Sequence, residues 1–171
     1  ASTLSDNQAS FGGAIRNEGK LTITNSAASG NTAISGAGIQ NWGNLKVASS
    51  TLKGNLARQN GGGIHISRAS QQATTVFANT ILAGNTASEE PDCSGDVASN
   101  GNNLISDTEA CSFRPVPGDL TGTSSQPVDP RLAPLRDNGG STQTQELLPG
   151  SPAIDGGSDE PALETDQRGE P

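Results

Sequence analysis

Few side chains in this chain have reactive chemistry, and they are thinly spread. Cys93 and Cys111 stand 18 positions apart. In a chain rich in Asn, Ser and Thr they read as a disulfide made in an oxidising compartment, with two buried free thiols as the alternative. With the lone His65 they match no zinc spacing, so no metal centre is expected. A polysaccharide hydrolase needs two carboxylates flanking one bond, yet residues 19–88 contain no Asp or Glu. A lyase needs a basic proton acceptor, for which Lys46, Lys53, Arg58, His65 and Arg68 are the available parts. Lys46 sits between two inward positions of a strand pattern and is expected to face solvent. His65, between Ile64 and Ile66, is expected as an exposed rung. Asp155, Asp159, Glu160 and Asp166 offer oxygens to calcium, but in no spacing that builds a calcium loop. Trp42, the single Trp, suits packing or a subunit contact better than sugar stacking. No GxSxG, phosphate-binding or dinucleotide fingerprint is present. No catalytic residue and no cofactor follow.

The elements that position these groups must be built from small residues. Of 171 residues 30% are hydrophobic and 2% aromatic, with 22 Gly and 10 Pro. Layered helices need more large apolar side chains, whereas a solenoid buries a few aliphatics per winding in a slim core. No apolar run approaches the roughly 20 residues of a membrane-spanning helix. The net charge is -8, which argues against nucleic acid as a partner. It is unevenly placed: residues 1–88 hold two acids and six bases, net +4, and residues 89–171 hold sixteen acids and four bases, net -12.

A repeat decides the fold class. Residues 12–33 align with 36–57 at an offset of 24. A third copy opens at Gly61-Gly62-Gly63-Ile64, takes an insertion near Arg68 to Ala73, and resumes at Thr75. A more degenerate fourth copy includes Cys93, Gly95 and Val97, then Asn103-Leu104-Ile105. Residues 2–9 match 50–57, so the chain is expected to begin inside a coil. Within each copy, apolar and polar residues alternate as in half-buried strands, and Gly and Asn mark sharp corners. The fold expected is all-β: a right-handed parallel β-helix, or β-solenoid, of about four to five coils of 24–25 residues with an irregular C-terminal segment. Coils are assigned to 1–113. Residues 114–171 are expected as an extended connector (114–131) and a C-terminal segment packing on the solenoid, within a single domain.

Stacking at about 4.8 Å per coil places like on like. Ile15, Ile39 and Ile64 form one inward ladder, Leu21 and Leu45 a second, and Ile23, Val47 and Phe77 a third. Asn7, Asn31, Asn55 and Asn85 form an amide ladder at a turn, each side chain bonding the next, or else a row of exposed turn residues.

The Gly-Gly-Ala-Ile at 12–15 and the Gly-Asn turns resemble the repeats of bacterial polymorphic outer-membrane proteins and related right-handed parallel β-helix surface proteins. Asp92-Cys93-Ser94-Gly95, residues 101–105, Cys111, DNGGSTQT at 137–144, LLPGSPAIDGG at 147–157 and TDQRG at 165–169 resemble secreted bacterial β-helix proteins that carry sorting anchors. The resemblance implies the same fold, secretion and a surface or extracellular setting, and implies no catalysed reaction.

A solenoid has two ends with unpaired strand edges, and uncapped ends associate. Ser2, Thr3 and Leu4 of the first strand, together with Trp42, are the expected subunit interface. The polarised charge suggests head-to-tail contact, which does not close and gives a filament. The expected function is therefore a non-enzymatic extracellular structural subunit whose main partner is itself, with no nucleic acid and no membrane span in this chain. The alternatives are a monomeric cell-surface adhesin or carbohydrate-binding β-helix taking extracellular glycans, and, less favoured, a polysaccharide lyase.

Overall fold

The computed structural model describes residues 1–67, 73–158 and 164–170. The insertion at 68–72, including Arg68, and the acids Asp159 and Glu160 lie outside the described residues. Every element among those described is a strand, and every pairing between named strands is parallel.

The chain winds, and each winding lays its strands beneath those of the one before. One face is a six-stranded sheet in the order β1 (Ser2–Ser5), β4 (Ser26–Ser29), β8 (Thr51–Lys53), β12 (Ile81–Ala83), β14 (Leu104–Ile105) and β16 (Leu120–Thr121). A second stack runs β2 (Ile15–Asn17), β6 (Ile39–Asn41), β10 (Ile64–Ile66). A third runs β3 (Lys20–Thr24), β7 (Asn44–Ala48), β11 (Thr74–Ala78). The longer β13 (Cys93–Ser99) lies under both, pairing β10 through Cys93 and Ser94 and β11 through Ala98 and Ser99. Beneath it lies β15 (Cys111–Phe113). The short pair β5 (Thr32–Ala33) and β9 (Leu56–Ala57) closes the remaining side.

The register follows the repeat. Ile15, Ile39 and Ile64 are successive partners, as are Ile23, Val47 and Phe77, and Leu21, Leu45 and Thr75. These inward residues, with Leu52, Leu82, Val97 and Ile105, make the core. Between them Asn44 and Lys46 face solvent. Asn25, Ser49, Asn79 and Asn102 stack at one corner, each with φ between 46° and 59°. Asn and small polar residues tolerate this left-handed turn best among non-glycine residues. At the next corner Gly30, Gly54 and Gly84 take φ of 62–72°, which glycine adopts without strain. Glycine is also needed for close approach: a Cβ on Gly38 would lie 2.3 Å from the Gly63 carbonyl oxygen one winding below.

The stack outlasts the expected coil boundary. Residues 114–131 do not merely connect, because β16 within them pairs β14, and Val128 N–H donates to the Ser106 carbonyl. After it the chain turns back along the outside of the six-stranded sheet.

Candidate functional site

The turn asparagines form a polarised ladder. Asn7, Asn31 and Asn55 each donate Nδ2–H to Oδ1 of the next asparagine below, at 2.9, 2.8 and 2.9 Å. Each also donates its backbone N–H to that same oxygen. The lowest rung is a carboxylate. Asn85 donates N–H and Nδ2–H to Asp92 Oδ1 at 3.0 and 2.9 Å, while Asp107 N–H donates to Asp92 Oδ2. Asp92 is 3% exposed. Burial pushes its carboxyl up to about 6, the hydrogen bonds from Asn85 and Asp107 pull the other way, and the nearby Asp107 charge adds to the rise.

A second ladder at the neighbouring corner ends alike. Thr80 N–H donates to Asn103 Oδ1, and Asn103 donates N–H and Nδ2–H to Asp119 Oδ1 at 2.9 and 3.0 Å. A third runs from Asn17 Nδ2 to Asn41 Oδ1 and from Asn41 Nδ2 to Thr75 Oγ1. In all three the side-chain-to-side-chain bonds between windings run from a donor above to an acceptor below, while Asn31, Asn55, Asn85 and Asn103 also donate Nδ2–H upward to the carbonyls of Leu4, Ala28, Leu52 and Phe77.

The first winding forms the upper rim of the described stack. β1, β2 and β3 are edge strands. Leu4, Ile15, Leu21 and Ile23 are only half-buried, whereas Ile39, Leu45 and Val47 one winding below are 1% exposed. Trp42 is half-buried beside the rim, with the Arg16 guanidinium 4.5 Å from its ring centre and exposed Phe11 edge-on at 6.4 Å. Its partners are thus in its own chain. Arg16 is also paired with Glu18 at 2.5 Å.

The outer face of the six-stranded sheet is covered by the chain's own C-terminal segment. An outward column runs Thr3, Ala27, Thr51, Ile81, Leu104, Leu120, and Ala27 and Leu104 are 2% exposed. An antiparallel hairpin, bridged at Leu132–Leu147 and Arg136–Thr144, lies over it. The chain then climbs past the corner asparagines. Asn102, Asn79 and Asn25 donate Nδ2–H to the carbonyls of Gly156, Ser158 and Thr165 at 2.9, 2.9 and 2.8 Å. At the top Gln167 Nε2 reaches Thr3 Oγ1, the Gln143 carbonyl, Thr142 Oγ1 and the Ser2 carbonyl. Thr3 Oγ1 donates to the Gln143 carbonyl. The segments 137–144 and 165–169, far apart in sequence, meet here on the first strand. Ser2 and Thr3 are therefore engaged internally through this strap, while Leu4 turns into the core. A cleft of about 550 Å³ remains between strap and sheet, lined by Ile81, Leu104, Leu132, Leu147 and the corner amides.

Cys93 and Cys111 are joined as a disulfide. The basic residues considered for proton abstraction do not gather: Lys46, Lys53 and His65 belong to β7, β8 and β10, and Arg58 follows β9. His65 is not a fully exposed rung but half-buried, its Nδ1 4.0 Å from Glu90 Oε2. Asp166 is occupied locally, accepting from Arg168 and Glu170. Slight burial opposes ionisation there, but these bonds hold the carboxyl below its ordinary value. Among the described residues no three His, Cys, Asp or Glu converge as a metal would require, and no helix is long and apolar enough to cross a membrane.

No family model matches this chain, and no match is found among the curated proteins or the solved structures.

The terminal carboxylates escaped the sequence. Asp92 reaches the ladder from the loop before β13, outside the 24-residue period, and Asp119 lies in the stretch read as a connector. Asn25, Ser49, Asn79 and Asn102 did carry a signal, since they precede Ser26, Ser50, Thr80 and Asn103 at matching positions.

Proposed function

We propose that this chain is a non-enzymatic structural module of an extracellular surface, a right-handed parallel β-helix with one face sealed by its own C-terminal segment. The observation that carries the proposal is the division of labour among the polar groups. The buried amides and carboxylates hold windings to one another or to the strap, the cysteines are joined, and the basic side chains stay apart. An oxidised pair in a strand-only stack suits the secreted setting. Surface labelling of intact source cells, with thiol alkylation under denaturing conditions, tests it. The expected result is a surface-labelled chain that takes up no alkylating reagent unless reduced. A chain confined to the cytosol with both thiols free would overturn the proposal.

The charge distribution favours a second reading, a head-to-tail fibre with the acidic lower half of one copy on the basic upper half of the next. Rods in electron micrographs, with sedimentation that rises with concentration at low salt, support the fibre. A strictly monomeric 17.2 kDa species at high concentration removes it.

A further inference from the structure

The sequence holds three Asn-Gly pairs, Asn60-Gly61, Asn100-Gly101 and Asn138-Gly139. An asparagine before glycine carries a reaction of its own, because no Cβ crowds the glycine nitrogen and that nitrogen can reach the asparagine Cγ when the side chain swings over it. The structure treats the three pairs differently. Asn60 is half-buried and donates Nδ2–H to Glu90 Oε2 at 3.3 Å, while buried Gly61 donates its N–H to the Glu90 carbonyl. Asn138 is clamped at both ends of its amide. Its Nδ2 donates to the carbonyl and Oγ1 of Thr144, each at 3.0 Å, and its Oδ1 accepts from Arg136 Nε at 2.8 Å. Asn100 is exposed, and its side chain makes no hydrogen bond among the described residues. Its main chain is nonetheless fixed: Asn100 N–H donates to the Phe77 carbonyl at 2.8 Å, and Gly101 N–H to Ser99 Oγ at 2.9 Å. A side chain that turns freely beside a fixed backbone nitrogen samples the attacking geometry, whereas a clamped one must first break its bonds.

We infer that Asn100 is a spontaneous modification site, the position at which the folded chain deamidates, and that its isoaspartate form loosens the corner that carries the strap. The Gly101 nitrogen gives its proton to base and bonds to Asn100 Cγ. The Cγ–Nδ2 bond breaks, and Nδ2 leaves as ammonia with a proton from water. Water then opens the resulting succinimide at one of its two carbonyls. One opening gives aspartate, and the other gives isoaspartate, in which the main chain runs through Cγ. Both products add a negative charge, and the sequence of steps consumes only water. Isoaspartate also lengthens the main chain by a methylene between two bonds that tie this corner to the winding above, Asn100 N–H to the Phe77 carbonyl and Asn79 N–H to the Gly101 carbonyl. Asn79 and Asn102 of the same corner hold the strap at Ser158 and Gly156. The inference stands independently of the surface-structural proposal.

Incubation of the full chain at mildly alkaline pH, followed by peptide mapping in a mass spectrometer, supplies the test. In the folded chain, conversion of amide to acid at Asn100 is expected to outpace that at Asn60 and at Asn138 by on the order of tenfold. Electron-transfer fragmentation should place isoaspartate at position 100. In urea, where all three pairs lose their partners, the rates should converge. Converted molecules should lose hydrogen-exchange protection at the Asn79 amide, while protection of β7 and β8 confirms that the body stays folded. Asn100→Gln, whose side chain would have to close a larger ring, should keep the Asn79 protection through the same incubation. Equal rates at the three pairs in the folded chain, or faster conversion at Asn60 or Asn138, overturn the inference. So does an Asn100 that remains an amide over the time that converts it in urea. Equal loss of Asn79 protection in Asn100→Gln and in the natural chain overturns the link between the modification and the corner.

Discussion

At the scale of single residues, the buried polar groups make the sharpest predictions. Asn55 is fully buried, receives two donors from Asn31, and donates to Asp-capped Asn85 and to the Ala28 carbonyl. Asn55→Ala leaves several of these groups unmet, and urea unfolding should show a loss of about 2–4 kcal/mol. Asn7→Ala, at the wet end of the same ladder, should cost under about 1 kcal/mol. Asp92 sets a pH dependence. Its carboxyl titrates near 3.8 when unfolded and near 6 in the fold, so between those values the fold binds more protons than the unfolded chain. Stability from this group is therefore greatest below pH 4, falls by about 3 kcal/mol as pH rises to 6, and is flat above. Other carboxylates titrate as well. The check is the difference between the natural chain and Asp92→Asn in their urea midpoints at pH 4 and pH 7, and the variant should lack this fall.

At the scale of elements, the 24-residue period made the stacks legible because identical positions in successive windings meet identical environments. Alternation then marks the inward side, as for Leu45 and Val47 around Lys46. Where the period broke, legibility ended. β13 spans two stacks in one piece, β16 hides in a Pro- and Ser-rich stretch, and Asp92 fills a ladder site from elsewhere in the winding. Periodicity reports what each position repeats, whereas a ladder terminus is by nature unrepeated. Trp42 was legible as an isolated aromatic, but its contacts with Arg16 and Phe11 depend on side-chain reach across windings. The disulfide fastens β13 to β15 at the lower end, where Gly95 and Cys111 are partners. Reduction should lower stability by about 3 kcal/mol, with exchange protection lost first in β15. The strap hangs on corner amides. Asn25→Ala combined with Asn102→Ala should expose the Ala27–Leu104 column, measurable as increased binding of an apolar fluorescent dye and faster proteolysis within 149–158, while the core strands stay protected.

At the scale of the whole molecule, the stacked windings differ from top to bottom. The lower windings carry the ladder-terminating carboxylates and the disulfide, whereas Leu4, Ile15, Leu21 and Ile23 of the first winding are half-buried. The sides are treated just as unequally, since one sheet is clad by the strap and the others carry Lys, Thr and Asn to solvent. The polarised charge was visible in composition, but the polarity of hydrogen bonding was not, because an asparagine's name does not say which way its amide points. The strap has one more consequence. A single covalent segment is anchored beside the lowest winding, through Asn102, and at the uppermost, through Gln167 and Thr3. Excising one period from the middle would leave neighbours that can still re-pair, yet it would bring those two anchorages closer by one rise, about 4.8 Å. The distance between the two anchorages therefore records how many windings lie between them, one rise for each.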